Sequence, residues 1–303
     1  GLDFGGASEK VLGVTAADLH RNWHRAMRSR YDAQVAALGD LREGEPLAGK
    51  GFSNMWPEFS PDGKKLAFLS SLKRHYGFHS LVIMDLESEE DEVVVPRVST
   101  SSISWSANSR KLLFVRKDRA DKYGSRQADI YESNLDDNEV GLLPELLATV
   151  PGMLSGYSVE RLRRISTGLR GFYPRYSPDG DWIAFVHNRG TNNNLGLLSI
   201  DGEEVRFLTD LENGTQLYTP RWSPDGRFLV FSIGREGRRD IGLVEVQKLA
   251  RQLLASTAPV APVPPRIELI VTTKGTDRDP VFTRDGTGIL FASDVSGIFN
   301  IYR

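Results

Sequence analysis

Short apolar runs, each introduced by turn residues, recur along most of this 303-residue chain and predict β-strands. Residues 65–69 and 227–231 are two such runs, and both follow closely on the sequence Pro-Asp-Gly. Apolar side chains at successive positions are typical of a strand that is buried on both faces. Further apolar runs follow each of these, so every turn begins a series of short strands.

One motif introduces five of these series. In each copy an aromatic residue and a Ser or Thr precede the turn, and two apolar residues stand at fixed positions after it. The copies are 57–63 with Leu66 and Phe68, 103–109 with Leu112 and Phe114, 174–180 with Ile183 and Phe185, 220–226 with Leu229 and Phe231, and 280–286 with Ile289 and Phe291. Their first residues lie 46, 71, 46 and 60 positions apart, so the unit has about 46 residues, with insertions in the second and fourth units.

The turn chemistry predicts that each motif ends one strand and starts the next. Proline presets φ, aspartate bonds its own backbone, and glycine takes the positive φ that returns the chain. The motif at 103–109 keeps the apolar positions but lacks the Pro-Asp-Gly sequence. Third strands are predicted at 80–86, 128–135, 194–200, 240–246 and 298–302, and fourth strands at 92–97, 161–166, 204–209 and 267–272.

Four short antiparallel strands at this period predict an all-β fold, a β-propeller of four-stranded blades with an N-terminal α-helix. We place the propeller at 41–303, with blades at about 53–98, 99–167, 168–210, 214–273 and 276–303, the last of them incomplete. Residues 1–40 are predicted to be the helical tail of an upstream domain. Within the insertions, 142–147 predict a short helix, and 245–256 predict a helix before a Pro-rich tether at 258–265.

The helix near the start of the chain has clear predicted ends. Thr15 is a good N-cap, and apolar residues recur at helical spacing to about Leu38, before Gly39. Residues 11–31 resemble the closing helix of secreted gluzincin-type peptidase domains, which precede TolB-like propellers in some bacterial proteins. Since the chain opens on Gly1 and stops within a strand-like run, we expect it to be a fragment of a longer protein.

The five motifs resemble the repeats of TolB-like propellers, relatives of the WD-type (WD40-like) repeat, over roughly residues 44–303. That resemblance implies a periplasmic or secreted location. Similar Ser-Pro-Asp-Gly hairpins also occur in the propellers of prolyl-oligopeptidase-like enzymes. The motif is therefore specific for the fold and says little about function.

Composition excludes several functions. The chain has no Cys, which removes disulfides, thiolate metal sites and a cysteine nucleophile. Its 38 Lys and Arg against 40 Asp and Glu leave a net charge of −2, so no basic field favours nucleic acid. No apolar run approaches the roughly 18 residues needed to cross a bilayer. We therefore expect neither nucleic-acid binding nor membrane insertion by this chain.

Candidate catalytic residues are missing as well. His20 and His24 have the spacing of a zinc-protease helix, but Arg21 stands where that motif has its general base. No Gly-x-Ser-x-Gly nucleophile elbow, phosphate-binding loop or dinucleotide motif is present. We predict no catalytic residue, no metal ligand and no cofactor, and hence that this chain is not an enzyme.

The sequence therefore favours a non-catalytic scaffold that binds a protein or peptide at the mouth of the propeller channel. The loops that lead into the first strand of each blade are rich in large side chains, and side chains of these types make interface hot spots. The candidate interaction residues are Trp56, Tyr173, Tyr218 and Arg278. Packing between neighbouring blades is the other interpretation of these aromatics.

Two alternatives remain open at this stage. The chain could instead be the accessory propeller of a secreted metallopeptidase, or of a prolyl-oligopeptidase-like enzyme, with a catalytic domain outside this sequence. Residues 44–49 have the same relation to the first motif that a fourth strand has to the next motif. They are predicted to form an outermost strand that completes the final blade in the intact protein.

Overall fold

The computed structural model describes residues 3–37, 45–49, 51–72, 79–117, 124–136, 162–246 and 267–303. The chain divides into two compact units, Gly1–Gly49 and Lys50–Arg303. The predicted elements at 142–147 and 258–265, and nearly all of the helix predicted at 245–256, lie outside the described residues.

The first unit contains two helices, α1 (Phe4–Leu12) and α2 (Ala16–Ala37). The predicted cap of α2 is confirmed, because the Asp18 backbone N–H donates to the Thr15 hydroxyl at 3.0 Å. Helix α1 was not predicted, since two glycines in its first turn disfavour a helix. It is instead held by its ends: the Asp3 carboxylate accepts from the Gly6 N–H, and Gly13 ends it in the left-handed region.

The second unit is the predicted β-propeller, made of five antiparallel sheets. Blade 1 contains β1 (Asn54–Phe59), β2 (Lys65–Ser70), β3 (His79–Asp85) and β4 (Asp91–Val98). Blade 2 contains β5 (Ser104–Trp105), β6 (Lys111–Arg116), β7 (Asp129–Asn134) and β8 (Leu162–Arg164). Blade 3 contains β9 (Gly171–Tyr176), β10 (Trp182–Arg189), β11 (Asn192–Ser199) and β12 (Val205–Phe207).

Blade 4 contains β13 (Gln216–Trp222), β14 (Phe228–Arg235), β15 (Arg238–Glu245) and β16 (Glu268–Val271). Blade 5 contains β17 (Asp277–Phe282), β18 (Ile289–Ser293) and β19 (Asn300–Tyr302). In every sheet the strands follow one another in chain order, and the first strands of consecutive blades lie next to each other. Among the described residues, Glu45–Gly49 form no strand, so the outermost strand predicted at 44–49 is not observed.

The motif turns fold as predicted, and the side chain of the motif serine or threonine adds further hydrogen bonds to each turn. In blade 1 the Ser60 hydroxyl donates to the Asp62 carboxylate at 2.6 Å and accepts from the Lys65 N–H at 2.9 Å. Gly63 takes the positive φ of 73°. The degenerate motif of blade 2 makes the same turn, because Asn108 replaces the aspartate and Ser109 takes a φ of 59°. These aspartates are turn formers.

The repeated phenylalanine forms the core of every blade. It lies on the second strand and is buried in all five, as Phe68, Phe114, Phe185, Phe231 and Phe291. In blade 3 Phe185 pairs with Gly196 across the sheet, and a Cβ on that glycine would lie only 2.5 Å from the phenylalanine ring. The ring thus occupies the place of a side chain on the neighbouring strand. This equivalence confirms the register that the repeat predicts.

Candidate functional site

A bulge recurs where the first strand of a blade begins. Pairing between first and second strands shifts register there in blades 1, 3, 4 and 5. The residue before the motif proline has a positive φ in each of them, namely Trp56 at 58°, Tyr173 at 54°, Thr219 at 47° and Asp279 at 53°. Because a bulge re-aims side chains, equivalent positions in these blades present their side chains in the same way.

Two of the predicted interaction residues occupy this bulge position, and the structure brings them together. The rings of Trp56 and Tyr173 contact each other with centroids 5.6 Å apart, although they belong to blades 1 and 3. Blade 2 has only small serines at this level, and the Ser101 hydroxyl accepts from the Tyr173 backbone N–H at 2.9 Å. Both aromatic side chains are half-buried.

Tyr218 lies beside this pair. Burial raises the pKa of Tyr173, and the nearby hydroxyl of Tyr218 raises it further. The Arg239 guanidinium lies over the Tyr218 ring at 4.2 Å, which is a cation–π contact. We name Trp56, Tyr173 and Tyr218 the aromatic mouth. Arg239 and Asp279 lie beside it, and Asp279 also pairs with Arg278 at 3.7 Å.

Arg278, the fourth predicted residue, is placed differently. Its guanidinium lies 3.9 Å from the ring of Phe299, just before β19. It immediately precedes the bulge residue Asp279, whereas Trp56 and Tyr173 are bulge residues themselves. The alternative interpretation, packing between blades, also has support, since Trp56 and Tyr173 pack against the cores of blades 1–2 and 3–4. The aromatics therefore pack on one side and face solvent on the other.

A cavity that sequence reasoning missed lies where the first strands end. It has a volume of about 380 Å³, and all five blades contribute to its wall. The second residue of each motif lines it, namely Glu58, Ser104, Arg175, Arg221 and Val281. The sequence contained a signal, because this position holds Glu, Ser, Arg, Arg and Val in the five copies, whereas the next position is aromatic in every copy. We name it the arginine cavity.

Two arginines form ion pairs with one glutamate inside this cavity. Arg221 Nη1 donates to both Glu58 carboxylate oxygens, at 2.7 and 3.0 Å, and Arg175 Nη1 lies 2.9 Å from Glu58 Oε2. Burial alone would raise the pKa of Glu58, but the two guanidiniums hold it below its ordinary value. Burial and the charge of Arg221 lower the pKa of Arg175 to about 10. Glu58 and Arg175 therefore both stay charged near neutral pH.

A second polar cluster is buried in blade 2, around Asp129 of β7. The Asp129 carboxylate accepts from Arg164 Nη2 at 2.5 Å, from the Ser166 hydroxyl at 3.1 Å and from the Leu169 N–H at 3.0 Å. These bonds tie β7 to the segment that leads into blade 3. Their position and burial give them a structural role.

The described histidines have no carboxylate partner that would make them catalytic. His79 is buried, with Nε2 at 3.5 Å from the Ser53 hydroxyl, and a ring N–H of His187 donates to the Leu169 carbonyl. His20 and His24 are exposed on α2 beside the Arg21–Asp18 ion pair. Within the described ranges, no cluster of three or more His, Asp or Glu could hold a metal. No described helix is both long and apolar enough to span a membrane.

The geometry defines a β-propeller of five blades, with no recognisable catalytic centre in its described part. Comparison with solved structures identifies the fold as that of TolB-like propellers. TolB from Acinetobacter baumannii superimposes with a TM-score of 0.56 and 17% identity, over 82% of this chain and 53% of that one. This chain thus spans about half the length of that protein.

Other propellers match to a similar degree. A putative TolB from Agrobacterium tumefaciens gives a TM-score of 0.55 at 20% identity, covering 82% of this chain and 72% of that chain. An oligogalacturonate lyase from Vibrio parahaemolyticus gives a TM-score of 0.50 at 15% identity, and the match covers 84% of this chain and 78% of that chain. No family model and no curated protein matches the sequence. At these identities the likeness shows the fold alone.

Proposed function

We propose that this chain is a non-catalytic scaffold that binds a protein or peptide at its aromatic mouth. The observation that carries the proposal is the contact between Trp56 and Tyr173, which joins blades 1 and 3 across the mouth. The TolB-like resemblance of the repeats supports a periplasmic or secreted location for this activity.

The chemistry of the aromatic mouth suits a peptide ligand. Half-buried rings offer a large apolar area at a small cost in side-chain entropy, because their packed side is already fixed. Beside the rings, Arg239 can donate to peptide carbonyl groups and Asp279 can accept from peptide N–H groups. Aromatic residues and arginine in such a setting are the usual hot spots of protein interfaces.

To test the proposal, a displayed library of random peptides is selected on the immobilised chain. The binding of the selected peptide is then measured by calorimetry in solution. We expect one peptide per chain, and a loss of at least about tenfold in affinity on Trp56→Ala or Tyr173→Ala, as for interface hot spots. Trp23→Ala is the control, because Trp23 is a 57% exposed tryptophan of α2 and is not one of the three residues of the aromatic mouth. Its affinity should equal that of the wild type.

Three results would contradict the proposal. One is a selection that yields no saturable binder. Another is a set of binders that Trp23→Ala weakens as much as Trp56→Ala does. The third is hydrolysis: we expect the purified chain to cleave neither peptides nor esters, and cleavage that a substitution in this chain abolishes would show that it is an enzyme.

A further inference from the structure

The arginine cavity carries more positive than negative charge. Among the described residues that line it, Glu58 is the one carboxylate, whereas Arg175, Arg221 and Arg284 are cationic. Glu58 can neutralise only one of the three. The wall therefore keeps an excess of two positive charges around a space of about 380 Å³.

The donors of the two inner arginines are also incompletely used. A guanidinium has five N–H groups, and Glu58 is bound through a single nitrogen, Nη1, of each arginine. The Arg175 side chain is only 5% exposed, and its Nε is buried without a hydrogen-bond partner. This Nε is closed to solvent, so a ligand would reach the two arginines through their Nη groups. Arg221 is the more open of the two, with 26% of its side chain exposed.

Aromatic and proline side chains make up most of the rest of the wall, together with four Ser and Thr residues, and hydrogen bonds hold two of the aromatic side chains in place. The Trp105 indole N–H donates to the Glu58 carbonyl at 2.9 Å, and that of Trp222 donates to the Arg175 carbonyl at 3.3 Å. Tyr176 and Phe282 also line the space. Charge–charge interactions are stronger beside such surfaces than in water, because few water molecules screen them.

We propose that the arginine cavity is a binding site for a carboxylate group, with Arg175 and Arg221 as its ligands and the aromatic wall around the rest of the molecule. Glu58 itself shows that a carboxylate fits between the two guanidiniums. The site is separate from the aromatic mouth, because it lies where the first strands end rather than where they begin. The carboxylate belongs either to a free small acid or to the C-terminus of a peptide.

Calorimetry with paired probes tests the charge requirement. Benzoate should bind the wild type, and benzamide, of nearly the same shape but uncharged, should bind at least about tenfold more weakly, as expected when a charge-assisted bond is lost. A second pair of probes, N-acetylphenylalanine and its amide, makes the same comparison for a carboxylate at the C-terminus of a peptide. Tighter binding of N-acetylphenylalanine than of benzoate would assign the site to a peptide, and the reverse would assign it to a free acid.

Three variants test the assigned residues. Arg221→Gln should lower the affinity for benzoate about tenfold, because it removes one guanidinium while Arg175 still pairs with Glu58. Arg189→Gln is the matched control, because Arg189 is 78% exposed outside the cavity wall, and it should leave binding unchanged. Glu58→Gln should strengthen benzoate binding about tenfold, since it frees donors that the internal carboxylate occupies. A purely structural ion-pair cluster would show no such gain.

Folding of each variant is checked by circular dichroism. If Glu58→Gln is unstable, benzoate should raise its melting temperature more than it raises that of the wild type. The proposal is wrong if neither acid binds, if benzamide binds as tightly as benzoate, or if Arg221→Gln and Arg189→Gln behave alike. Binding of inorganic phosphate without benzoate would also overturn the assignment to a carboxylate.

Discussion

Replacing Phe185 with alanine is expected to lower the free energy of unfolding of the propeller by about 3–5 kcal/mol, the usual cost of a large-to-small change in a core. Phe185 is completely buried in the second strand of blade 3. Its ring lies against Gly196, which has no side chain to move into the space that the substitution leaves. The cavity would therefore persist rather than collapse.

The measurement is urea unfolding of the whole chain, followed by near-ultraviolet circular dichroism. Phe52→Ala is the matched control, because Phe52 is 73% exposed, and its unfolding free energy should stay within about 0.5 kcal/mol of the wild type. Equal, small effects for both variants would show that the repeated phenylalanine does not hold the core and that the assigned register is wrong.

Asp129→Ala is the second substitution from which we expect a large effect, about 3 kcal/mol. Asp129 is only 3% exposed, and its removal leaves the buried Ser166 hydroxyl and the Leu169 N–H without their acceptor. Each buried donor that is left without an acceptor lowers the free energy of unfolding by about 1–3 kcal/mol. Arg164 loses its ion pair as well, and because its side chain is only 21% exposed, this loss adds to the cost.

The control for Asp129 is another aspartate of the same blade. Asp136 forms an exposed ion pair with Arg110 at 3.2 Å, so Asp136→Ala should cost less than about 1 kcal/mol. Urea unfolding of the two variants side by side separates a buried polar cluster from surface charge. An Asp129→Ala protein as stable as Asp136→Ala would mean that the cluster contributes nothing to the fold.

The blade plan was predictable from sequence because it rests on local chemistry that repeats. Pro-Asp-Gly turns and an apolar pair at a fixed distance act through neighbouring residues, so five copies reveal strands, register and core together. Even the degenerate copy folds the same way, since Ser109 accepts the positive φ that glycine takes elsewhere. Helix α1 escaped prediction because its stability comes from its two end caps rather than from an apolar face.

The candidate sites were less predictable, because they depend on which side chains meet across blades. From the sequence, Trp56 and Arg278 were both predicted to lie in loops that lead into a first strand. The bulge separates them by one position, so Trp56 turns toward Tyr173 while Arg278 packs on Phe299. Similarly, Glu58 and Arg221 are 163 residues apart, and only closure of the blades around one channel brings them together.

Hydrogen–deuterium exchange of the chain with its selected peptide tests the central claim most directly. We expect slower exchange of the backbone amides around Trp56, Tyr173 and Tyr218, where the first strands begin, and unchanged exchange at the turns around Gly63 and Gly226. Protection of those turns, or of α2, without protection of the amides beside Trp56 and Tyr173 would contradict the assignment of binding to the aromatic mouth.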